Sequence, residues 1–474
     1  MVPTQGAAVP FEPGGEMFYN VEMSKTAASP GTRPGKYHIA TYGCQMNAHE
    51  SEKIAGVLEA MGLVRTGEAA QADVIVLNTC TIRESAEQRI IGHIGTLKKL
   101  KQRNPNLRIA VVGCLTQDIA AAQRLRRTFP FLDVILGTQD VHRLEEALNQ
   151  AGAVTEHVDR RLLNDAVDKR DDISMARAAG PSAQVNIMYG CDNYCSYCIV
   201  PHVRGPERSR SAASILGELK ELECKGYREV QLLGQNVNSY RDDVDFTGLL
   251  EQVLQETSFA RIRFMTSHPK DLSDRLIQLI GTEKRLCSHV HLPLQSGSDN
   301  VLARMNRGYT WEEYLTLTER LRSGVPDVSL TTDLIVGFPG ETDADFTCTL
   351  EAVDAVQFQA AYTFVYSARQ GTPAAAMDDQ VPREVKKDRI VQLIERQNSI
   401  TRALNEAQVG RLEEVLVSGK ASRGNGDMTG RTDAGRTVNF AGSTNLVGQI
   451  VPIRITEAKS TTLYGRLEAA AWQN

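Results

Sequence analysis

Three apolar runs, KYHIATYGC, DVIVLNTC and RIAVVGC, each end on a cysteine: Cys44, Cys80 and Cys114. Short runs rich in β-branched residues read as buried strands. Helical patterns separate them, such as HESEKIAGVLEAMG, with Ile54, Val57, Leu58 and Met61 at helical spacing and Gly62 as a stop. A fourth run, FLDVILGT, follows. This alternation predicts a parallel, Rossmann-like α/β domain over residues 36–152. Parallel strands place their C-terminal ends on one edge of the sheet. Cysteines 36 and 34 residues apart in the chain are therefore predicted to converge. Asn47-Ala48-His49-Glu50 and Thr81-Ile82-Arg83-Glu84 read as capping boxes, which would set helix N-termini beside two of the thiols. The alternative is three buried structural cysteines.

A charged connector spans 153–180, and a second alternation then begins. Its strands are QVNIMYG, EVQLLGQ, RIRFMTS, HVHLPLQ, VSLTTDLIVG and AAYTFVYS. Six β/α units in series predict a partial (β/α)6 TIM-type barrel over 181–407. An amphipathic helix from about Arg383 to Ala407 closes it, with Ile390, Leu393, Ile394 and Leu404 on its apolar side. From 408 to 474 short alternating strands (EEVLVSG, RTVNF, QIVPIRITEA) read as a small β-barrel. Residues 1–35, rich in Pro, Gly, Ala and Ser without a period, read as a disordered tail.

A chain of 474 residues is too long for one core. Its net charge of −5 announces no nucleic-acid partner globally. No apolar run approaches the ~20 residues of a membrane span, and the N-terminus lacks a basic n-region and an apolar h-region, so a cytoplasmic location is expected. Nine cysteines, an odd number in a large chain, argue for metal binding or catalysis over a disulfide framework.

NIMYGCDNYCSYCIVP bunches Cys191, Cys195 and Cys198 just past the first barrel strand, where barrel enzymes carry their chemistry. A structural zinc site would want a fourth ligand, for which His202 is the nearest candidate. A 4Fe–4S cluster on three cysteines instead leaves one iron open.

C-x-x-x-C-x-x-C after the first strand of a barrel resembles the signature of the radical S-adenosylmethionine (SAM) enzymes. The resemblance implies that the open iron chelates SAM and that the reduced cluster cleaves it to a 5′-deoxyadenosyl radical. It implies SAM contacts from Tyr197 (adenine packing, though simple core packing is as good a reading), from Gly234, Gln235 and Asn236, from Gln295 and Ser296 in HLPLQSGS, and from Asp333 in DLIVGFPGET. Here GQN stands where GGE is common in the superfamily.

With GCQMN, CDNYCSYCIVPHVRGPERSR, LLGQNVNSY, FMTSHP, HLPLQSGSDNVLARMNRGYT and YSARQGTPAA, the chain resembles the radical SAM methylthiotransferases that act on tRNA. That resemblance, from about Lys36 to the C-terminus, implies a second, auxiliary 4Fe–4S cluster on Cys44, Cys80 and Cys114. It implies a TRAM domain at 408–474 and, as substrate, N6-isopentenyladenosine in the anticodon stem-loop. One SAM would donate a methyl group and a second would supply the radical. The sulfur source and electron donor stay open. Alternative readings are a sister enzyme acting on threonylcarbamoyl-adenosine or a ribosomal protein, and a non-catalytic metal-containing RNA-binding protein.

The segment 408–474 holds eight Lys/Arg and six Asp/Glu, a net +2 on an otherwise acidic chain. Within MTGRTDAGRTVNF, Arg431 and Arg436 are candidates for phosphates and Phe440 for base stacking, against a solvated hairpin with a core phenylalanine. The basic runs KKLKQR and RLRR are further candidates, although such faces are usually only solvated. Packing is expected for Cys224, Cys287 and Cys348. His268, His289 and His291 are expected to be hydrogen-bonded or cofactor-lining.

Overall fold

The computed structural model describes residues 34–80, 84–150, 154–156, 173, 175–177, 179–422 and 427–468. Residues 1–33 of the N-terminal tail, 81–83 of the second capping box and most of the connector lie outside them. The chain divides into two compact units, Met1–Ala179 and Gly180–Asn474.

The first unit contains β1 (Lys36–Thr41), α1 (Gln45–Ala60), β2 (Val64–Arg65), β3 (Val74–Thr79), α2 (Glu84–Arg103), β4 (Arg108–Gly113), α3 (Cys114–Gln117), α4 (Ile119–Thr128), β5 (Val134–Gly137), α5 (Leu144–Asn149) and β6 (Val154–Glu156). Every strand pairing is parallel, in the order β2-β1-β3-β4-β5-β6. Both sheet faces are covered, which is why the strands read as continuous apolar runs. Val74, Val76, Val112, Val134 and Leu136 pack with Ile54, Leu58 and Leu144, while Ile75, Leu77, Ile109, Val111 and Ile135 pack with Ile90, Ile94 and Leu125. Each such side chain contributes about 1.5–3 kcal/mol by leaving water.

The sheet runs past the expected boundary at 152, because β6 adds a parallel strand to β5. Part of the connector also belongs to this unit. The Ala176 amide donates to Glu52 O (3.0 Å), and Arg177 Nη1 reaches Glu52 Oε2 (2.9 Å).

In the second unit come β7 (Ser182–Asn186), β8 (Met188–Tyr189), α6 (Val200–Arg204), β9 (Arg208–Ser209), α7 (Ala212–Cys224), β10 (Glu229–Leu233), α8 (Phe246–Glu256), β11 (Arg261–Phe264), α9 (Asp274–Thr282), β12 (His289–His291), α10 (Asp299–Arg304), α11 (Trp311–Gly324), β13 (Ser329–Val336), α12 (Asp343–Val356), β14 (Ala360–Val365) and α13 (Arg383–Glu406). Two parallel three-stranded sheets, β7-β10-β11 and β12-β13-β14, are joined by a parallel bridge between Ile262 and Leu286. All six expected strands are present in chain order, and their outward side chains meet the surrounding helices in one core. Along α13, Leu393 and Ile400 are buried, whereas Ile394, expected on the apolar side, is 38% exposed. Arg389 ties this helix to the fully buried Glu341 (2.7 Å).

Finally β15 (Leu412–Lys420), β16 (Met428–Arg431), β17 (Thr437–Phe440), β18 (Ile450–Ala458) and β19 (Leu463–Leu467) close a barrel in the order β15-β16-β17-β19-β18. Phe440 is 2% exposed among Val415, Met428, Val438 and Val451. The expectation of base stacking is therefore corrected. Strand alternation turns Phe440 inward, and an aromatic ring in a small barrel serves its core.

The β16–β17 turn docks against the N-terminal ends of the (β/α)6 strands. Arg263 donates to Thr432 O (2.5 Å) and Asp433 O (2.6 Å), and Arg261 to Arg431 O (2.5 Å) and Glu414 O (2.7 Å). Arg436, half-buried, is drawn toward this junction by a bond from its Nε to Gln359 Oε1 (3.0 Å). The Arg431 side chain stays exposed. Among the described residues no helix is long and apolar enough to cross a membrane.

Candidate functional site

The loop after β8 carries Cys191, Cys195 and Cys198, with the Cys198 amide donating to Cys195 O (2.9 Å). Cys195 is 8% exposed, and the other two are half-buried. Burial pushes the Cys191 thiol up against an opposing hydrogen bond from Asn193, and burial together with Cys195 pushes Cys198 up to about 12. Both keep their protons until a metal displaces them.

Among the described residues no group of three His, Cys, Asp or Glu side chains is set to hold a single metal ion. Three soft thiols on one loop, close enough to perturb each other's protonation, have the donor chemistry of an iron–sulfur cluster.

A segment following α10 clasps this loop. Ser196 donates through its amide to Met305 O (3.0 Å) and through its hydroxyl to Arg304 O (2.7 Å). Asn306, left-handed at φ 58°, reaches Tyr194 O (3.1 Å). Arg307, 5% exposed, donates to Cys195 Sγ (3.3 Å), Pro293 O (2.9 Å) and Tyr309 Oη (3.0 Å). Arg307 lies within HLPLQSGSDNVLARMNRGYT, and the sequence assigns it no role. No periodicity distinguishes a buried arginine from a solvated one.

The residues expected around SAM lie on the cysteine loop (Tyr197), within β13 (Asp333) and just past β10 and β12 (the others), and divide by availability. Tyr197 packs beside Met305, Ile335 and Phe338. Gln235 is half-buried. Asp333 has a 29% exposed side chain and sits 3.5 Å from His291 Nε2. Gln295 is left-handed at φ 76°, and its backbone extends the β13 ladder through Asp333 O and the Ile335 amide.

Gly234 faces Met188 so closely that an added Cβ would stand 2.5 Å from its Cγ. Asn236 is buried and spent on Asp271 Oδ2 (2.8 Å) and the His268 amide (2.9 Å). Ser296, fully buried, turns to Thr349 of α12 (3.3 Å) and accepts from the Ser298 amide. The side chains of the last two hold the loops in place, since their polar atoms already have protein partners, which leaves their backbone to face a ligand. Burial first, then Arg307 and Lys270, lowers the pKa of His268 to about 2; burial and Arg263 lower that of His289 to about 3. Both rings are neutral at physiological pH. Cys287 is buried, but Cys224 and Cys348 are exposed on helices, so packing explains only the first.

In the first unit the sheet register places the other three cysteines. Thr79 pairs with Gly113, so Cys80 and Cys114 follow side by side, and both are 1% exposed. Cys44 follows β1, whose Thr41 pairs with Asn78 on the other side of β3. The strand order reverses between β1 and β3, and the C-terminal edge at such a reversal is where open α/β sheets bind ligands. Two glycines permit the close approach. An added Cβ at Gly43 (φ 121°) would lie 2.5 Å from the Cys80 Cβ, and one at Gly113 (φ 121°) 2.4 Å from Thr79 O.

Asn47 was expected to cap α1, but Cys44 occupies that position. The Asn47 amide instead donates to Thr79 O (2.9 Å) and Asn78 Oδ1 (3.3 Å), and Asn78 returns a bond to Asn47 O (2.8 Å). Tying the first turn of α1 to β3 outweighs a cap that a backbone turn already provides.

Family models match all three parts of the chain: the radical SAM superfamily over residues 185–353, the uncharacterized protein family UPF0004 over 36–137 and the TRAM domain over 406–467. Curated relatives named tRNA-2-methylthio-N(6)-dimethylallyladenosine synthase include that of Carboxydothermus hydrogenoformans, 48% identical over 91% of this chain and 99% of its own. The one from Pelotomaculum thermopropionicum is 46% identical over 91% and 97%. Among solved structures, the radical S-adenosylmethionine methyltransferase TsrM from Kitasatospora setae aligns with a TM-score of 0.53 at 13% identity, covering 73% of this chain and 74% of that one; the likeness is of fold alone. Identity at this level along nearly the whole length places the chain in the radical SAM family of tRNA-2-methylthio-N(6)-dimethylallyladenosine synthases.

Proposed function

We propose that this chain is a transferase that converts N6-isopentenyladenosine beside the tRNA anticodon to its 2-methylthio derivative. The observation that carries the reading is the pair of three-thiol sets. One lies on the loop at the C-terminal end of the first barrel strand, the other on the C-terminal edge of a parallel sheet, in a chain with the relatives just described. Cys191, Cys195 and Cys198 would hold one 4Fe–4S cluster and leave an iron for SAM, and Cys44, Cys80 and Cys114 would hold an auxiliary one. When bound, these groups supply a carbon-centred radical that takes hydrogen from carbon 2 of the base and a methylthio group to replace it.

The chain's own residues bind, orient and shield. Tyr197 offers its ring to the adenine of SAM, and Asp333 in β13 and Gln235 just past β10 offer polar groups. Burial of Cys80 and Cys114 keeps water from the auxiliary site. The TRAM barrel and the exposed Arg431 are assigned to the tRNA backbone, whose phosphates position without specifying sequence. Specific recognition falls to the unpaired anticodon loop, where base edges are free. We place the reaction in the cytoplasm, with an external electron donor and sulfur source.

The test is nucleoside mass spectrometry on isopentenyladenosine-containing tRNA, incubated anaerobically with reconstituted protein, reductant, sulfide and SAM. The expected product is 2-methylthio-isopentenyladenosine. Deoxyadenosine without that product would refute the substrate while leaving the radical chemistry standing.

A further inference from the structure

Arg307 is a buried guanidinium that, among the described residues, has no carboxylate within salt-bridge distance. Its three acceptors are a cysteine sulfur, a peptide carbonyl and a phenol, at 3.3, 2.9 and 3.0 Å. Among the other buried arginines of this unit, Arg210, Arg263 and Arg389 each face a glutamate, Glu218, Glu229 and Glu341 respectively, and Arg261 donates to two backbone carbonyls; Arg307 is the one seen to donate to a cysteine sulfur. An arginine side chain keeps its proton in proteins. Burying that charge costs several kcal/mol unless something of opposite sign compensates. The acceptor positioned to become negative is Cys195 Sγ, which is a thiolate whenever it ligates metal.

We propose that Arg307 is a positioning residue that holds Cys195 Sγ and raises the reduction potential of the cluster on Cys191, Cys195 and Cys198. The proposal rests on the reading that these three cysteines ligate a 4Fe–4S cluster. Reduction adds one electron, and so one unit of negative charge, to the cluster and its thiolates. A fixed positive charge with an N–H aimed at one of the sulfurs favours that reduced form over the oxidised one. Tyr309 fixes the direction of the guanidinium. Its hydroxyl accepts from Arg307 Nε and lies 3.1 Å from Pro293 O and 2.9 Å from Leu294 O. The two remaining guanidinium nitrogens are thereby left for the sulfur and Pro293 O.

The test is a dithionite titration of the reconstituted full chain, followed by electron paramagnetic resonance of the SAM-responsive cluster signal. In Arg307→Gln the ratio of reduced to oxidised cluster at a fixed potential is expected to fall about tenfold, equivalent to about 59 mV for one electron. Arg307→Lys keeps the charge without the fork and is expected to recover part of the loss. Tyr309→Phe leaves the arginine in place and is expected to shift the ratio in the same direction by less. A ratio in Arg307→Gln within twofold of the unaltered protein, with full iron content, would overturn the proposal. If Arg307→Gln does not fold, an unchanged ratio in both Arg307→Lys and Tyr309→Phe would overturn it equally. Cys195→Ala separates this inference from the reading beneath it. A SAM-responsive signal surviving in Cys195→Ala would refute the cluster assignment itself, whatever Arg307 does.

Discussion

Cys191, Cys195 and Cys198 occupy eight consecutive residues of one loop, whereas Cys44, Cys80 and Cys114 are spread over 71. The first set is gathered by chain connectivity and clasped afterwards, by Ser196, Asn306 and Arg307. The second exists only once three parallel strands are in register, and it is held by the sheet itself through Gly43, Gly113 and the Asn47–Asn78 pair. A loop site thus depends on a few hydrogen bonds. A sheet-edge site depends on the core, and two of its three thiols, Cys80 and Cys114, are more deeply buried than any on the loop.

The sharpest way to break this comparison is to remove one ligand from each set. Cys195→Ala and Cys80→Ala are both expected to abolish methylthiolation. Only Cys80→Ala should still release deoxyadenosine, measured by chromatography of anaerobic reactions. Deoxyadenosine from Cys195→Ala would erase the division of labour between the sets. A gentler break is Gly113→Val, which forces a side chain onto Thr79 O in a backbone region that suits glycine. Iron content is expected to fall by about half, from two clusters to one, with the SAM-responsive signal intact. Loss of both clusters would mean that the two sites do not assemble independently.

Two smaller effects sharpen the contrast. Asn78→Ala removes three side-chain bonds, two with Asn47 and one with Ser51, and is expected to cost about 1–3 kcal/mol in denaturant unfolding of the first unit. Ser196→Ala removes one hydroxyl bond from the loop clasp and is expected to cost only about 1 kcal/mol. The reverse order would show that the loop, not the sheet edge, is the more tightly built of the two.

The same contrast explains what could be read from the chain. Ten strands of the two α/β parts, and the closing helix, are visible as apolar runs and a helical period, because both sheet faces and one helix stripe must be buried; the three-residue β6 is not. The loop cysteines could be read from their spacing alone. The sheet-edge cysteines could be read only by assuming parallel register, which holds. What could not be read was the destination of individual polar groups. Asn47 fits a capping box and also an amide pair between α1 and β3, and only the finished fold chooses between them. Arg436 and Phe440 satisfy a nucleic-acid pattern, yet one bonds to Gln359 and the other fills the TRAM core. Arg307 carries no sequence signal at all, since its burial follows from a left-handed turn at Asn306 and Gly308 (φ 71°) rather than from any period.

The most direct test of two separate clusters is spectroscopic. The triple variants C44A/C80A/C114A and C191A/C195A/C198A would each be reconstituted, assayed for iron, reduced, and examined by electron paramagnetic resonance with and without SAM. Each is expected to retain about half the iron of the unaltered protein. SAM should change the spectrum of the first variant and leave that of the second untouched. A SAM response in C191A/C195A/C198A, or full iron content in either variant, would contradict the assignment of one cluster to each set of cysteines.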